Sequence, residues 1–403
     1  MINKIEIQNF KSIVNLKLDL GLFNIIIGEN GCGKTNILES FVFAAAASQG
    51  KLDNEFLLNR GIRLPGPQFI KPAFQDISTV KNIQISISEG LSTNDTKVQF
   101  DKENKKWEDV TISNIDRKIS DVINSAFEKS KLEDKINENI ASSKINKEAL
   151  AKLISESLNE VIFNIVSKGD KKSEDVQKFL ARLSPKKSLP TFLIYTPNEL
   201  ILREQNSESA IKPLGIHGEG LFAFLKEQAK SEKELFSKIN KGLHLLDWFD
   251  GLEIPKTLLS NEAKLKIGDR YLKESIHFFD QRSTNEGFLY LLFYLTLFNS
   301  KETPSFFAID NIETSFNPKL CTQLSRYLIQ MAKENGKQVI LTTHNPYILD
   351  ALDLSDEEQR LFVARRDIDG HTKVSRIQHK ENRKQKLSEI WMSGFIGGLP
   401  DNF

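Results

Sequence analysis

The chain has 403 residues, a formal net charge of +1, 39% hydrophobic and 27% charged residues, and two cysteines. These values are typical of a globular protein, and they exclude a disordered chain, a disulfide framework and a global electrostatic attraction to nucleic acid. No signal-peptide pattern opens the sequence, and no run of about 18 uncharged apolar residues occurs. We therefore expect a cytoplasmic protein that has no membrane partner.

The first 100 residues begin with two short strands of alternating apolar and polar residues, at 5–7 and 16–20. Residues 23–27 form a nearly continuous apolar run, which predicts a strand buried on both faces. A glycine-rich segment follows directly, and residues 34–47, which contain neither proline nor glycine, predict a helix. The order of strand, glycine-rich loop and helix is that of a phosphate-binding loop. A further strand is predicted at 80–87.

The glycine-rich segment has the pattern Gly-x-x-x-x-Gly-Lys-Thr, from Gly28 to Thr35. Small residues let successive backbone N–H groups converge on phosphate oxygens at the N-terminus of a helix. Lys34 is predicted to contact the β- and γ-phosphates, and the Thr35 hydroxyl to occupy one coordination position of Mg²⁺. The predicted ATP-binding residues of this segment are Asn30, Gly31, Cys32, Gly33, Lys34, Thr35 and Asn36.

Residues 101–188 are rich in Lys, Glu, Asn and Ser, and their apolar residues recur at helical spacing. We interpret this stretch as an inserted helical unit. Its basic residues are matched by acidic ones, so it shows no basic stripe for DNA. A solvated helical hairpin and a dedicated recognition arm both fit the pattern, and the partner of this unit stays open.

Two strands in the second half of the chain end in residues suited to nucleotide chemistry. Residues 305–310 are hydrophobic and end in Asp310, a carboxylate in the position that holds Mg²⁺ beside a P-loop. Residues 337–344 end in His344, whose imidazole could meet the γ-phosphate or the attacking water. Asp310 and Thr35 are therefore the predicted metal-binding residues.

A second anion-binding segment is predicted from residue 283 to residue 287, directly before an apolar helix. Hydroxyls, amides and a glycine at a helix N-terminus favour phosphate binding. Ser283 and Gly287 are the predicted phosphate contacts, and Ser283 is also the predicted N-cap of the helix. Because the chain already has a P-loop, this segment is predicted to contact the γ-phosphate held by another protomer.

In this order, the segments resemble those of the ABC ATPases, where they are the Walker A, signature and Walker B motifs and the histidine switch. Residues 314–317 fall where that family has its D-loop. The long interval between Lys34 and Asp310, the absence of membrane segments and the opening Ile7-Gln8-Asn9-Phe10-Lys11-Ser12 are similar to the RecF, SMC and OLD-like branch. The resemblance implies an α/β fold: a two-lobed ABC ATPase head of mixed sheets and flanking helices, with an inserted helical unit.

The resemblance also implies a division of the chain. Residues 1–100 would form an ATPase lobe with the P-loop, and 101–188 the inserted helical, charged unit. Residues 189–365 would form the lobe with the signature, Walker B and histidine switch. Residues 366–403 would form a hairpin and an apolar tail that docks on the core or on a partner.

Residue 311 departs from the family pattern. Most ABC ATPases have a Glu directly after the Walker B Asp, where it polarises the attacking water, and this chain has Asn311. An amide can orient water but cannot accept its proton, and loss of a general base typically slows a reaction by about 10²- to 10⁴-fold. Glu313 and a group from a partner are the two candidates to replace it. We expect slow hydrolysis, with Asp310, Asn311, Glu313 and His344 as the catalytic set.

A narrower similarity is to ATPase subunits of bacterial anti-phage systems such as Septu, PARIS and retron-linked modules. It is carried by Asp310-Asn311-Ile312-Glu313, Thr343-His344-Asn345-Pro346 and Gly397-Gly398-Leu399-Pro400. It implies a head that dimerises around ATP–Mg²⁺ and acts as the sensor of a defence complex. That complex would control a separate effector, a nuclease or toxin, and DNA or a phage protein would be the trigger. A nucleotide-gated scaffold without hydrolysis and a RecF-like DNA repair clamp are the alternatives.

Overall fold

The computed structural model describes residues 1–64, 66–75, 77, 82–90, 92–101, 106–109, 189, 191–204, 209–229, 231–254, 265–273, 276, 278–381 and 385–399. All of these except residue 109 belong to one compact unit, formed by residues 1–108 and 189–403. The predicted inserted unit at 101–188 lies outside the described residues, apart from 101 and 106–109, which are in strands.

Strands supply most of the framework. In chain order they are β1 (Ile2–Phe10), β2 (Ile13–Asp19), β3 (Phe23–Ile27), β4 (Ile83–Glu89), β5 (Ser92–Asp101), β6 (Lys106–Asp109), β7 (Ile194–Tyr195), β8 (Phe249–Glu253), β9 (Lys266–Asp269), β10 (Phe306–Ile309), β11 (Gln338–Thr342), β12 (Gln359–Arg366) and β13 (Thr372–Ile377). The strand predicted at 80–87 is therefore β4, which begins three residues later.

The described helices lie mostly after the strands that carry the predicted motifs. They are α1 (Lys34–Ser48), α2 (Asn54–Leu58), α3 (Glu199–Arg203), α4 (Leu221–Gln228), α5 (Lys233–Leu243), α6 (Glu286–Asn299), α7 (Pro318–Asn335) and α8 (Leu387–Met392), with 3₁₀ helices at Pro67–Phe69 and Pro346–Ala351. In the described part of the chain, no helix is both long and apolar enough to cross a membrane.

A six-stranded sheet of order β13-β12-β3-β11-β10-β7 lies at the centre of the unit. Its strands are parallel, except that β13 runs antiparallel to β12. Every residue of β3, β10 and β11 is buried, which confirms the continuous apolar runs. Because the carboxyl ends of neighbouring parallel strands meet at one edge, this order brings the residues after β3, β10 and β11 together.

A second sheet of order β2-β1-β4-β5-β6 belongs to the N-terminal lobe. β1 pairs antiparallel with β2 and β4, and β4 pairs antiparallel with β5. The alternate apolar residues of β1 and β2, such as Ile5, Ile7, Leu16 and Leu18, are buried on one face. They pack with α1 in one hydrophobic cluster, whereas α4 to α7 belong to a second cluster, and β3 contributes residues to both. The mixed α/β architecture confirms the predicted fold class.

Candidate functional site

The loop between β3 and α1 requires glycine at two of its positions. Gly28 has φ 147°, and a methyl group there would lie 2.2 Å from the carbonyl oxygen of Ala364. Gly33 has φ 105°, and a methyl group there would lie 2.1 Å from Oγ1 of Thr372. Both positions combine a left-handed backbone with no room for a side chain, so only glycine fits. The loop conformation is thus encoded in the sequence pattern itself.

Lys34 lies buried at the start of α1, with its ammonium over the loop. Its Nζ donates to the carbonyl oxygens of Gly28 at 2.9 Å and Glu29 at 3.0 Å. Burial lowers the pKa of Lys34, and nearby negative groups, among them Asp310, partly offset this effect. The cation is therefore fixed among backbone oxygens, where a phosphate group would find a donor already in place.

The predicted metal-binding pair is brought together at the carboxyl edge of the sheet. Oγ1 of Thr35 donates to Oδ2 of Asp310 at 2.9 Å, although 275 residues separate the two in sequence. The other carboxylate oxygen of Asp310 accepts a hydrogen bond from the Thr342 hydroxyl. A carboxylate and a hydroxyl at this edge are the hard oxygen ligands that Mg²⁺ prefers. The residues present fit that ion.

Asn311 adopts a left-handed conformation, with φ 57°. Its N–H donates to Oγ1 of Thr342 at 2.9 Å, and its carbonyl oxygen accepts from the N–H of Thr314 at 3.2 Å. Its side chain is exposed. Asn tolerates this backbone region better than Glu because its short side chain hydrogen-bonds locally. Residue 311 therefore serves as a turn position after β10.

Glu313 lies two residues further on, in the same turn, and points toward the P-loop lysine. Its Oε1 accepts a hydrogen bond from the N–H of His344 at 2.8 Å. Its Oε2 is buried, and within the described residues no donor reaches it. The negative charge of Glu313 acts on both Lys34 and His344, where it opposes the lowering of the pKa that burial causes. A buried carboxylate oxygen without a partner calls for an explanation, and catalysis is one.

His344 follows β11, as predicted, and its backbone N–H is held by Glu313. The imidazole itself is exposed. Partial burial and the Lys34 cation lower its pKa, against the opposing effect of Glu313 and Asp310. In its neutral form the imidazole offers one donor and one acceptor.

The segment before α6 differs from the prediction in one respect. Its N-cap is Asn285, whose Oδ1 accepts from the N–H of Phe288 at 2.9 Å. Ser283, predicted as the cap, instead donates its hydroxyl hydrogen bond to Asp280 at 3.1 Å and is exposed. The capping prediction for Ser283 was wrong because the helix begins at Glu286, three residues after the serine, and both residue types are good caps.

Gly287 lies in the first turn of α6, against the predicted D-loop. A methyl group on it would lie 3.2 Å from the carbonyl oxygen of Ser315, and Ser315 donates a hydrogen bond to Glu286. The signature segment and the D-loop are therefore packed together. Thr284 adds a buried hydroxyl that has no hydrogen-bond partner among the described residues.

Arg203 fixes the signature segment from behind, and no sequence motif pointed to this residue. Its Nη1 donates to the carbonyl oxygens of Gln281, Arg282 and Thr284 at 3.2, 2.8 and 2.9 Å. Its Nη2 and Nε both bind Oε1 of Glu199 on α3, at 2.6 and 2.9 Å. A charge-assisted donor that holds three carbonyl groups shapes the whole segment.

A second group of residues that sequence reasoning missed supports the P-loop. Ser12 binds Nδ2 of Asn36 at 2.6 Å and the hydroxyl of Thr372 at 2.7 Å, and Thr372 donates to the carbonyl of Cys32 at 2.8 Å. Arg366 donates to the carbonyl of Gly31 at 2.9 Å. The loop is therefore held between the N-terminal lobe and the β12–β13 hairpin.

The remaining predicted residues of the loop occupy different environments. Asn30 and Gly31 are exposed at its tip, whereas Cys32 is buried, and burial raises the pKa of its thiol. Asn36 is half-buried and accepts from Arg63 at 3.3 Å. The phosphate-facing part of the loop thus runs from its exposed tip to the buried lysine.

The chain is similar to several known proteins. A family model described as "AAA domain, putative AbiEii toxin, Type IV TA system" matches residues 23–350. A Helicobacter pylori protein named ATP/GTP phosphatase is 23% identical over 385 residues, which cover 91% of this chain and 93% of that protein. An uncharacterized protein of Methanocaldococcus jannaschii is 43% identical over 67 residues, but these cover only 15% of this chain and 31% of that protein.

One similar solved structure is an SMC head bound to the C-winged helix domain of ScpA. It superposes on this chain with a TM-score of 0.50 at 13% sequence identity. The superposition covers 94% of this chain and 98% of the SMC head chain. At this identity the similarity shows the fold. The family match spans most of the chain, and it includes the P-loop, the signature segment, Asp310 and His344. The chain is therefore a P-loop ATPase and belongs to the family described as "AAA domain, putative AbiEii toxin, Type IV TA system".

Proposed function

We propose that this protein binds ATP–Mg²⁺ and hydrolyses it slowly, in a site completed by a second copy of the chain. The observation that carries the proposal is the 2.9 Å hydrogen bond between Thr35 and Asp310, which joins the P-loop to the second half of the chain. The similarity to a Helicobacter pylori protein named ATP/GTP phosphatase, over 91% of this chain, supports nucleotide hydrolysis.

Each residue of the P-loop half has a separate task in this proposal. The loop N–H groups and Lys34 bind the β- and γ-phosphates, and Thr35 and Asp310 hold Mg²⁺. The ion neutralises the charge of the phosphate oxygens when it is bound. Thr342 keeps the Asp310 carboxylate oriented through its hydroxyl. The neutral imidazole of His344 lies where it donates to, or accepts from, groups around the γ-phosphate.

Glu313, rather than Asn311, is the carboxylate that polarises the attacking water. Asn311 is exposed and lacks a basic atom, whereas Glu313 has one buried oxygen that no described donor reaches. The other oxygen is held by the N–H of His344, so the carboxylate cannot rotate freely. Because Glu313 is tied to a backbone group and displaced from the usual position, we expect turnover to be slow.

A second copy of the chain completes the site. In each protomer, Asn285 has already capped α6, and Arg203 holds the preceding carbonyls. Ser283 and Gly287 then contact the γ-phosphate held by the partner copy. ATP would favour the closed dimer because it adds contacts that the open state lacks, and hydrolysis would release them.

We place this cycle in a cytoplasmic anti-phage complex, in which the ATPase acts as sensor and controls a separate nuclease or toxin. The family description, which names a toxin and a toxin–antitoxin system, supports this context. DNA or a phage protein would be the trigger.

Asn311 favours one alternative, a nucleotide-gated scaffold that binds ATP without turnover. Steady-state phosphate release with ATP and Mg²⁺ separates the two functions. Wild type should release phosphate, and Lys34→Ala should fall to the rate of a protein-free blank, because the phosphates lose their cation. Lys319→Ala, a change on the exposed start of α7, is the matched control and should retain the wild-type rate. Equal release by wild type and Lys34→Ala would overturn the enzyme proposal.

A further inference from the structure

The C-terminal segment, defined here as residues 387–399, packs on the core and runs back to the P-loop. Leu387 and Trp391 of α8 are buried in the same cluster as β3 and β12. Ile396 and Leu399 pack against that cluster from outside. The segment is thus attached at both ends, on the face of the central sheet opposite to α1, while residues 392–395 between them are exposed.

One end of the segment touches the first residue of the P-loop. A methyl group on Gly398 would lie 3.2 Å from Cα of Gly28 and 2.8 Å from Cγ1 of Val363. The two backbones come this close because neither residue has a side chain. Val is stiff at χ1, so the neighbouring side chain cannot simply turn away.

The other end of the segment is tied to the loop that carries His344. The N–H and hydroxyl of Ser388 donate to the two carboxylate oxygens of Asp350 at 3.0 and 2.9 Å. Asp350 lies in the 3₁₀ helix Pro346–Ala351, which Asn345 caps directly after His344. The segment therefore joins two elements of the proposed nucleotide site that are far apart in sequence.

We propose that the C-terminal segment positions the P-loop for ATP, with Gly398 as the positioning residue; this inference rests on the proposed function. The carbonyl oxygen of Gly28 accepts from Nζ of Lys34 at 2.9 Å. A displacement of Gly28 therefore moves an anchor of the phosphate-binding lysine. Glu313, the water-polarising carboxylate of the proposed mechanism, follows β10 rather than the P-loop, so the chemical step should change less than ATP binding. The segment should govern the affinity for ATP, and with it KM, while kcat stays constant.

The chain offers a matched pair of variants for the test. Gly397 and Gly398 both have left-handed backbones, with φ 73° and 79°. A methyl group on Gly397 would have nothing within 4 Å, whereas one on Gly398 would overlap Cγ1 of Val363 at 2.8 Å and press on Cα of Gly28 at 3.2 Å. Gly397→Ala and Gly398→Ala therefore carry the same backbone strain, and Gly398→Ala adds the steric contact, so its melting temperature should be the lower of the two. Only Gly398→Ala alters the contact between the C-terminal segment and Gly28.

The measurements are KM and kcat for ATP in the full chain. We expect Gly398→Ala to raise KM about tenfold and to leave kcat nearly unchanged, since it misplaces a binding group. Gly397→Ala should keep the wild-type KM. Equal KM values for the two variants would overturn the inference, as would a loss confined to kcat.

A second variant separates steric damage from loss of support. Removal of residues 397–403 should also raise KM, because the start of the P-loop loses its contact; an unchanged KM would refute the positioning role. If wild type shows no Lys34-dependent phosphate release, the proposed hydrolysis fails, and the same variants are compared by binding of fluorescent mant-ATP. A dissociation constant for Gly398→Ala that is equal to or lower than that for Gly397→Ala would then overturn the inference.

Discussion

The two halves of the proposed site are held in opposite ways. In the P-loop half, the polar groups bind one another: Thr35 and Thr342 both donate to Asp310. In the signature half, the hydrogen bonds lie behind the segment, where Arg203 holds its carbonyl groups and Asn285 caps the helix. This difference is what the proposed function predicts, in which one chain supplies the metal-binding and water-polarising groups and a second chain supplies the signature segment.

The largest effect that would sharpen this comparison is expected at Glu313. Glu313→Gln keeps the hydrogen bond to His344 but removes the basic oxygen, so kcat should fall by about 10²- to 10⁴-fold with little change in ATP affinity. Asn311→Gly, which suits the left-handed backbone, is the control and should stay close to wild type. Single-turnover phosphate release measures the rate of hydrolysis for both variants. Comparable losses in the two variants would assign no special role to Glu313.

A smaller effect is expected at the back of the signature half. Arg203→Met keeps the aliphatic stem of the side chain but frees three carbonyl groups. ATP-dependent dimerisation should therefore weaken about tenfold, which corresponds to the loss of roughly one charge-assisted hydrogen bond. Analytical ultracentrifugation with ATP and Mg²⁺ measures this, and mant-ATP binding to the monomer should be unaffected. Arg326→Met on the exposed face of α7 is the matched control. If the affinity of the monomer for mant-ATP falls instead, Arg203 belongs to the P-loop half.

The first half of the site was predictable because its information is local. Residues 23–48 carry a buried strand, a loop whose glycines are required by positive φ, and a helix, all adjacent in sequence. The positions of Asp310 and His344 were predictable for a related reason, since each follows a short strand with an apolar centre. Because the strands are parallel and adjacent, their carboxyl ends lie at one edge of the sheet.

The supporting contacts could not be predicted because they join distant residues through ordinary side chains. Ser12 and Thr372 are 360 residues apart, and Arg203 acts on carbonyl groups, which any sequence has. The N-cap of α6 was misplaced because Ser283 and Asn285 are both suitable caps, and local sequence does not fix a helix start to within two residues. The role of Asn311 as a left-handed turn residue also became visible only in the structure.

The central claim is that the P-loop of one protomer works with the signature segment of the other. It is tested most directly by mixing Lys34→Ala with Gly287→Val protein, since a larger side chain at 287 would press on Ser315. Each variant alone should be inactive. In a one-to-one mixture, half of the dimers are mixed and each has one intact site of two, so phosphate release should return to about a quarter of the wild-type rate. Release no greater than the sum of the separate variants would contradict the shared site.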